Sequence, residues 1–198
     1  MAQKRRTVCG AGGKDAKAAK EAAEEAKAAA EKVGDFSGHL EDHGNPHRVT
    51  AEQVEKALGE CDCEEVVFCG FGEPTYRLGV MLEVCDYVHA HGKKTRLNTN
   101  GHGSIINERD IAPELVGKLD GINISLNAPD AKRYDKLCKP LYPDMAFDSM
   151  LFFAEACRSN SLNCWFSVVD CIGEAEVEEC RKVAERVGVP LRVRPTIE

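Results

Sequence analysis

No apolar run approaches the roughly 18 residues of a membrane-spanning helix. The basic start at residues 1–7 is not followed by an apolar stretch, so no signal peptide is expected. Positive charge is in deficit: 26 Lys and Arg stand against 33 Asp and Glu, a formal net charge of -7. That balance argues against the basic footprint of a nucleic-acid-binding protein. There is no Gly-x-Ser-x-Gly elbow, which removes support for an α/β-hydrolase. There is no Gly-x-x-x-x-Gly-Lys-Ser/Thr loop, which removes support for a P-loop nucleotidase. Gly10-Ala11-Gly12-Gly13 is glycine-rich, but no useful strand precedes it, so it does not read as a dinucleotide site.

Cysteine, by contrast, is plentiful: ten residues of 198, still below the density of a disulfide scaffold. Cys69, Cys85, Cys164 and Cys171 lie within apolar runs. Reduced, mostly buried thiols in a cytoplasmic protein are expected.

The chain has two unlike parts, 1–48 and 49–198. Residues 14–33 are almost entirely Ala, Lys and Glu, with near-maximal helix propensity. Lys20–Glu24 and Lys27–Glu31 add weak pairs at four-residue spacing. Before Val33 no apolar side chain is larger than alanine, so this helix has little to bury and reads as a solvated insert. Residues 34–48 are a turn-rich linker. From Thr50, whose Thr-Ala-Glu-Gln start suggests a capping box, the sequence becomes ordinary globular chain.

Strands are expected at 65–69, 95–98, 121–126, 163–170 and 191–194. Helices are expected at 50–58, 76–91, 108–119, 130–137, 146–158 and 174–187. Continuous apolar strands alternating with helices predict a parallel sheet covered by helices. The fold class is therefore α/β, either a partial parallel (β/α) barrel or an open doubly wound sheet. Such folds carry their chemistry at the C-terminal ends of the strands. Those ends read Gly70-Phe71-Gly72-Glu73-Pro74, Asn98-Thr99-Asn100-Gly101, Ser125-Leu126-Asn127, Ser167 with Asp170, and Arg192-Val193-Arg194-Pro195. Small polar groups recur at equivalent points, and such a set can hydrogen-bond ribose hydroxyls and an amino-acid headgroup. Glycines allow close backbone approach to a ligand, and Pro74 stiffens the turn.

The series FCGFGEPT, RLNTNG, INISLNA, YDKLCKP and FSVVD resembles the radical SAM superfamily, most closely its TatD-nuclease-associated members, over residues 48–198. The resemblance implies the partial barrel of that family. It implies that Gly70, Gly72, Glu73 and Pro74 hold the amino group of S-adenosylmethionine. It assigns Asn98, Asn100, Ser125 and Asn127 to the ribose and carboxylate. The family also holds a [4Fe-4S] cluster on a CxxxCxxC loop after its first strand. This sequence has no such loop, and its only cysteine before Cys61 is Cys9. The implied activity is reductive cleavage of S-adenosylmethionine to a 5′-deoxyadenosyl radical if a cluster is bound. The substrate is a small molecule of unknown kind, with no nucleic acid and no membrane. The alternative is a catalytically inactive scaffold or binding protein of the same fold.

Cys61-Asp62-Cys63 offers a weaker zinc-bound structural reading, with Cys9, Cys61 and Cys63 as the candidate ligands. His39, His43 and His47 recur every four residues, but Gly44-Asn45-Pro46 breaks any helix there, and they read as a solvated loop. His89 and His91 read as structural residues at a helix end. Lys132, Arg133, Lys136 and Lys139 read as a solvated helix face, and Met150, Phe152 and Phe153 as helix core.

Overall fold

A computed structural model describes residues 51–59, 63–69 and 72–196. The alanine-rich stretch 14–33, the linker 34–48, Cys9, Cys61 and Gly70 lie outside the described residues. The described residues fall into two compact units. One contains α1 (Ala51–Gly59), whose Ala51 and Leu58 are two turns apart on one face and are both buried.

The other unit is built on five parallel strands in the order β1-β2-β3-β4-β5. They are β1 (Glu65–Phe68), β2 (Lys94–Thr99), β3 (Gly121–Ser125), β4 (Cys164–Val169) and β5 (Leu191–Arg194). Each strand pairs with the next in sequence, so every crossover steps in the same direction. That is the order of a (β/α) barrel; a doubly wound sheet reverses direction at its centre. The connections are a 3₁₀ turn Pro74–Arg77 leading into α2 (Leu78–Ala90), α3 (Gly103–Ile106) with α4 (Ala112–Leu115), α5 (Ala131–Cys138) with α6 (Ala146–Ser159), and a 3₁₀ turn Asp170–Ile172 leading into α7 (Glu174–Val187).

Strand side chains alternate between faces, and the two faces differ in chemistry. Leu97, Ile122, Ile124, Phe166 and Val168 face the helices and join Met81, Leu115, Met150 and Phe153 in one core. The opposite, inner face carries Glu65 on β1, Arg96 and Asn98 on β2, Asn123 and Ser125 on β3, Trp165 and Ser167 on β4, and Arg192 and Arg194 on β5. A run such as Ile122-Asn123-Ile124-Ser125 reads apolar on average yet presents two unlike faces.

The structure differs from the sequence expectation in several places. The helix expected at 108–119 is replaced by the separate short helices α3 and α4. Glu108 and Gly117 take positive φ angles of 53° and 73°, which no continuous right-handed helix allows. Pro113 sits at the start of α4, where its missing N–H costs nothing. Phe152 is 68 % exposed, not core. Met150, Phe153, Ala154 and Cys157 form the buried stripe of α6, and Phe152 falls opposite it. Cys171 is exposed, because β4 ends at Val169 and Cys171 lies in the following turn. Cys85, Cys157, Cys164 and Cys180 are buried as expected, and burial pushes the Cys85 thiol up to about 12.

At the N-terminal end of β2, Asp120 Oδ2 accepts from the Thr95 backbone N–H (2.7 Å) and lies 3.0 Å from His89 Nε2. His89 is thus a structural tie at the base of β2. Arg133 bonds Asp130 on its own helix and Glu176 and Glu179 on α7, so it clamps α5 to α7. Among the described residues, no helix is long and apolar enough to cross a membrane.

Candidate functional site

The turn after β1 converges on one buried carboxylate. Gly72 has φ +113°, a conformation that L side chains rarely adopt. Glu73 is extended, 8 % exposed, and caps the 3₁₀ turn that Pro74 begins. Its Oε1 accepts from Thr75 N (3.2 Å), Thr75 Oγ1 (2.8 Å) and Thr99 Oγ1 (2.8 Å). Its Oε2 accepts from Asn100 N at 2.8 Å. One side chain therefore ties the end of β1 to the end of β2. A carboxylate has about four acceptor directions. Oε1 is saturated by this chain's own donors, and Oε2 keeps one direction open.

The loop after β2 is tightly specified. Thr99 Oγ1 accepts from Gly101 N (2.9 Å), and Asn100 Oδ1 accepts from His102 N (2.9 Å). Gly101 has φ +81° and lies against Met150 of α6. His102 is 4 % exposed, with Nε2 3.2 Å from the hydroxyl of buried Tyr134 and a second bond to the Ala146 carbonyl.

Burial pushes the His102 imidazole below its ordinary 6.5, the bond to Ala146 opposing it weakly. The unfolded chain then takes up this proton first as pH falls. Stability from a neutral His102 is complete above about pH 6.5 and is lost as pH drops from there toward the lowered folded value. Urea unfolding at stepped pH should show stability falling as pH drops below about 6.5, and the slope should flatten in His102→Gln. An identical slope in the variant would remove His102 as the cause.

Beyond β3, Asn127 has φ +58°, and Ala128 N bonds Leu126 O at 2.6 Å across it. This is a three-residue turn with a strained centre, a conformation asparagine tolerates better than most residues. Asn127 Nδ2 lies 3.5 Å from Cys138 Sγ. Asn100, His102, Asn127, Tyr134, Cys138 and Tyr142 surround a cavity of about 160 Å³. Drug-sized ligands occupy pockets of about 300 Å³ or more, so this cavity suits a fragment of a ligand.

The sequence-predicted residues thus separate into two groups. Glu73, Asn100 and Asn127 gather at the rim, with Gly72 and Pro74 shaping the turn. Asn98 and Ser125 lie on the inner face instead. Asn98 Oδ1 accepts from Arg96 Nη1 (2.8 Å), and Arg96 Nε bonds Glu65 at 3.2 Å. Ser125 sits in register with Ser167. Thr75, Thr99, His102 and Asn123 are site residues the sequence reading passes over. Of the metal candidates, Cys63 is buried with its carbonyl accepting from Lys93 Nζ at 2.8 Å, and Cys9 and Cys61 are outside the described residues. Among the described residues no three Cys, His, Asp or Glu side chains converge as a ligand set.

Five sequential parallel strands, helices on one face and polar strand ends make this a partial (β/α) barrel. No family model and no curated protein matches the sequence. Solved structures do. SuiB of Streptococcus suis bound to S-adenosylmethionine superimposes with a TM-score of 0.58 at 16% identity, covering 77% of this chain and 35% of that one. Native anSMEcpe with bound AdoMet gives 0.55 at 19% identity, covering 75% of this chain and 42% of that one. At such identities the likeness is one of fold, and this chain spans well under half the length of either protein.

Proposed function

We propose that this chain binds S-adenosylmethionine at the C-terminal edge of its sheet, as a radical SAM-type protein of the TatD-nuclease-associated kind. Glu73 carries the reading. It is a buried carboxylate fixed by two strand ends, with one acceptor direction left on Oε2 beside a glycine turn. A ligand ammonium needs acceptors, and that oxygen with the turn's carbonyls supplies them. Asn100 and Asn127 at the rim, and Asn98 and Ser125 on the inner face, offer partners for ribose hydroxyls and a carboxylate. The neighbours of the same fold that hold AdoMet support the reading.

A [4Fe-4S] cluster would supply the electron that cleaves the sulfonium to a 5′-deoxyadenosyl radical. The residues of this chain do not fit it: the sequence holds no CxxxCxxC loop, and the described cysteines form no three-thiol set. No cleavage step is assigned. The missing loop favours a second reading, a barrel that binds S-adenosylmethionine without radical chemistry.

Anaerobic reconstitution with iron and sulfide, followed by calorimetric titration with S-adenosylmethionine, separates these. Uptake of about four irons per chain restores the enzyme reading. Binding without iron uptake selects the binding protein. No binding in either state overturns both.

A further inference from the structure

The inner face near β4 and β5 holds buried polar atoms without partners. Among the described residues Asn123 Oδ1 and Ser167 Oγ find no hydrogen-bond partner, although Asn123 is 7 % exposed and Ser167 fully buried. Buried polar atoms are nearly always paired, so two orphans on one face point to a partner from outside the chain, water or ligand. They are neighbours: Asn123 is in register with Trp165, and Ser167 with Arg192.

The charges at the same place are also unmatched. Arg192 and Arg194 project from β5 onto this face, and among the described residues neither forms an ion pair. Asp170, which follows β4, has its Oδ1 engaged by Thr196 N (2.9 Å) and Thr196 Oγ1 (2.6 Å). Two free guanidinium groups on one face are unexpected in a chain of net charge -7.

Arg192 is also oriented. Its guanidinium carbon lies 3.7 Å from the centroid of the Trp165 ring, and that ring rests on Gly121 of β3, where a Cβ would come within 3.0 Å. Stacking occupies the flat face of a guanidinium and leaves its edge donors free, the geometry that takes a planar or tetrahedral oxyanion.

We propose that Arg192 and Arg194 bind a carboxylate or phosphate group of the substrate, with Ser167 donating to it and Asn123 accepting from a hydroxyl or amino group of the same molecule. The substrate class is then a small anionic hydroxy or amino acid, or its phosphate. The proposal rests on the S-adenosylmethionine reading, in which this face holds the second molecule.

Trp165 is the only tryptophan of the chain, so its fluorescence reports on this site alone. The full chain is titrated with inorganic phosphate and with acetate, against sodium chloride at matched ionic strength. A saturable change with phosphate or acetate is expected, weakened about tenfold or more in Arg194→Gln and in Arg192→Lys, which keeps charge but loses the planar fork. Arg194 is exposed, so its variant should unfold at the wild-type temperature. A chloride response equal to the others, or an unchanged response in Arg194→Gln, overturns the proposal. S-adenosylmethionine carries a carboxylate too, so its affinity is measured by calorimetry in the same variants. An unchanged affinity assigns the arginines to the second molecule. Competition between phosphate and S-adenosylmethionine, with both weakened in Arg194→Gln, would give the anion site to S-adenosylmethionine itself and overturn the proposal. A wild-type chain that binds phosphate but no S-adenosylmethionine sinks the earlier reading and leaves the anion site standing.

Discussion

Glu73→Gln is expected to lower folding stability by about 2–3 kcal/mol and to weaken S-adenosylmethionine binding by about 1.5–3 kcal/mol, the scale of charge-assisted hydrogen bonds. The amide cannot stand in for the carboxylate in either orientation. With its NH₂ at the Oε2 position, it opposes the Asn100 backbone N–H. With its NH₂ at the Oε1 position, it opposes the Thr75 backbone N–H. The threonine hydroxyls can rotate away, but a backbone N–H cannot, so one donor is always left unpaired. Chemical denaturation measures the first effect and calorimetry the second. A variant with wild-type stability would contradict the cross-link. One with lowered stability but unchanged affinity would leave Glu73 as a structural tie only.

Gly101→Ala is expected to cost about 3 kcal/mol, combining left-handed backbone strain of about 1–2 kcal/mol with overpacking of about 1–3 kcal/mol. The new Cβ would lie 2.7 Å from Met150 Cγ and 3.1 Å from Met150 Cα. The side-chain contact could be relieved by motion of the methionine; the backbone contact could not. Gly72→Ala makes the comparison. Its φ of +113° also disfavours an alanine, but a Cβ there meets nothing within 4 Å. The smaller loss expected at Gly72 isolates strain from crowding. Adding Met150→Ala to Gly101→Ala should show coupling without full recovery, since the Met150 Cα and Cβ remain in place. Equal losses at Gly72 and Gly101 would mean that the contact with α6 contributes nothing.

Much of the fold is legible in the sequence because apolar and β-branched residues mark the strands between helices with clear ends. Glu174–Val187 and Leu191–Arg194 fall where the pattern places them. The stretch 108–119 misleads for a specific reason. Ile111, Leu115 and Leu119 recur every four residues and are all buried, mimicking one helix face, while the breaks are set by backbone angles at Glu108 and Gly117. Glu73 is visible as a lone carboxylate in a glycine turn. Thr75 and Thr99 are not, because their hydroxyls matter only where two strand ends meet. Strand ends read for their small polar groups adjoin Arg96, Arg192 and Arg194 on the inner face. The signal was the alternation Leu191-Arg192-Val193-Arg194, which places both cations on one side.

The sequential strand order has a consequence for how the chain assembles. Leu97 pairs with Ile122, 25 positions on, and Asn123 with Trp165, 42 positions on. Closing the longer loop costs only about 0.5 kcal/mol more than closing the shorter one, because closure entropy grows with the logarithm of length. No strand waits for a distant part of the chain. The sheet can zip from any adjacent pair outward, each new strand finding its template already laid down by the one before it.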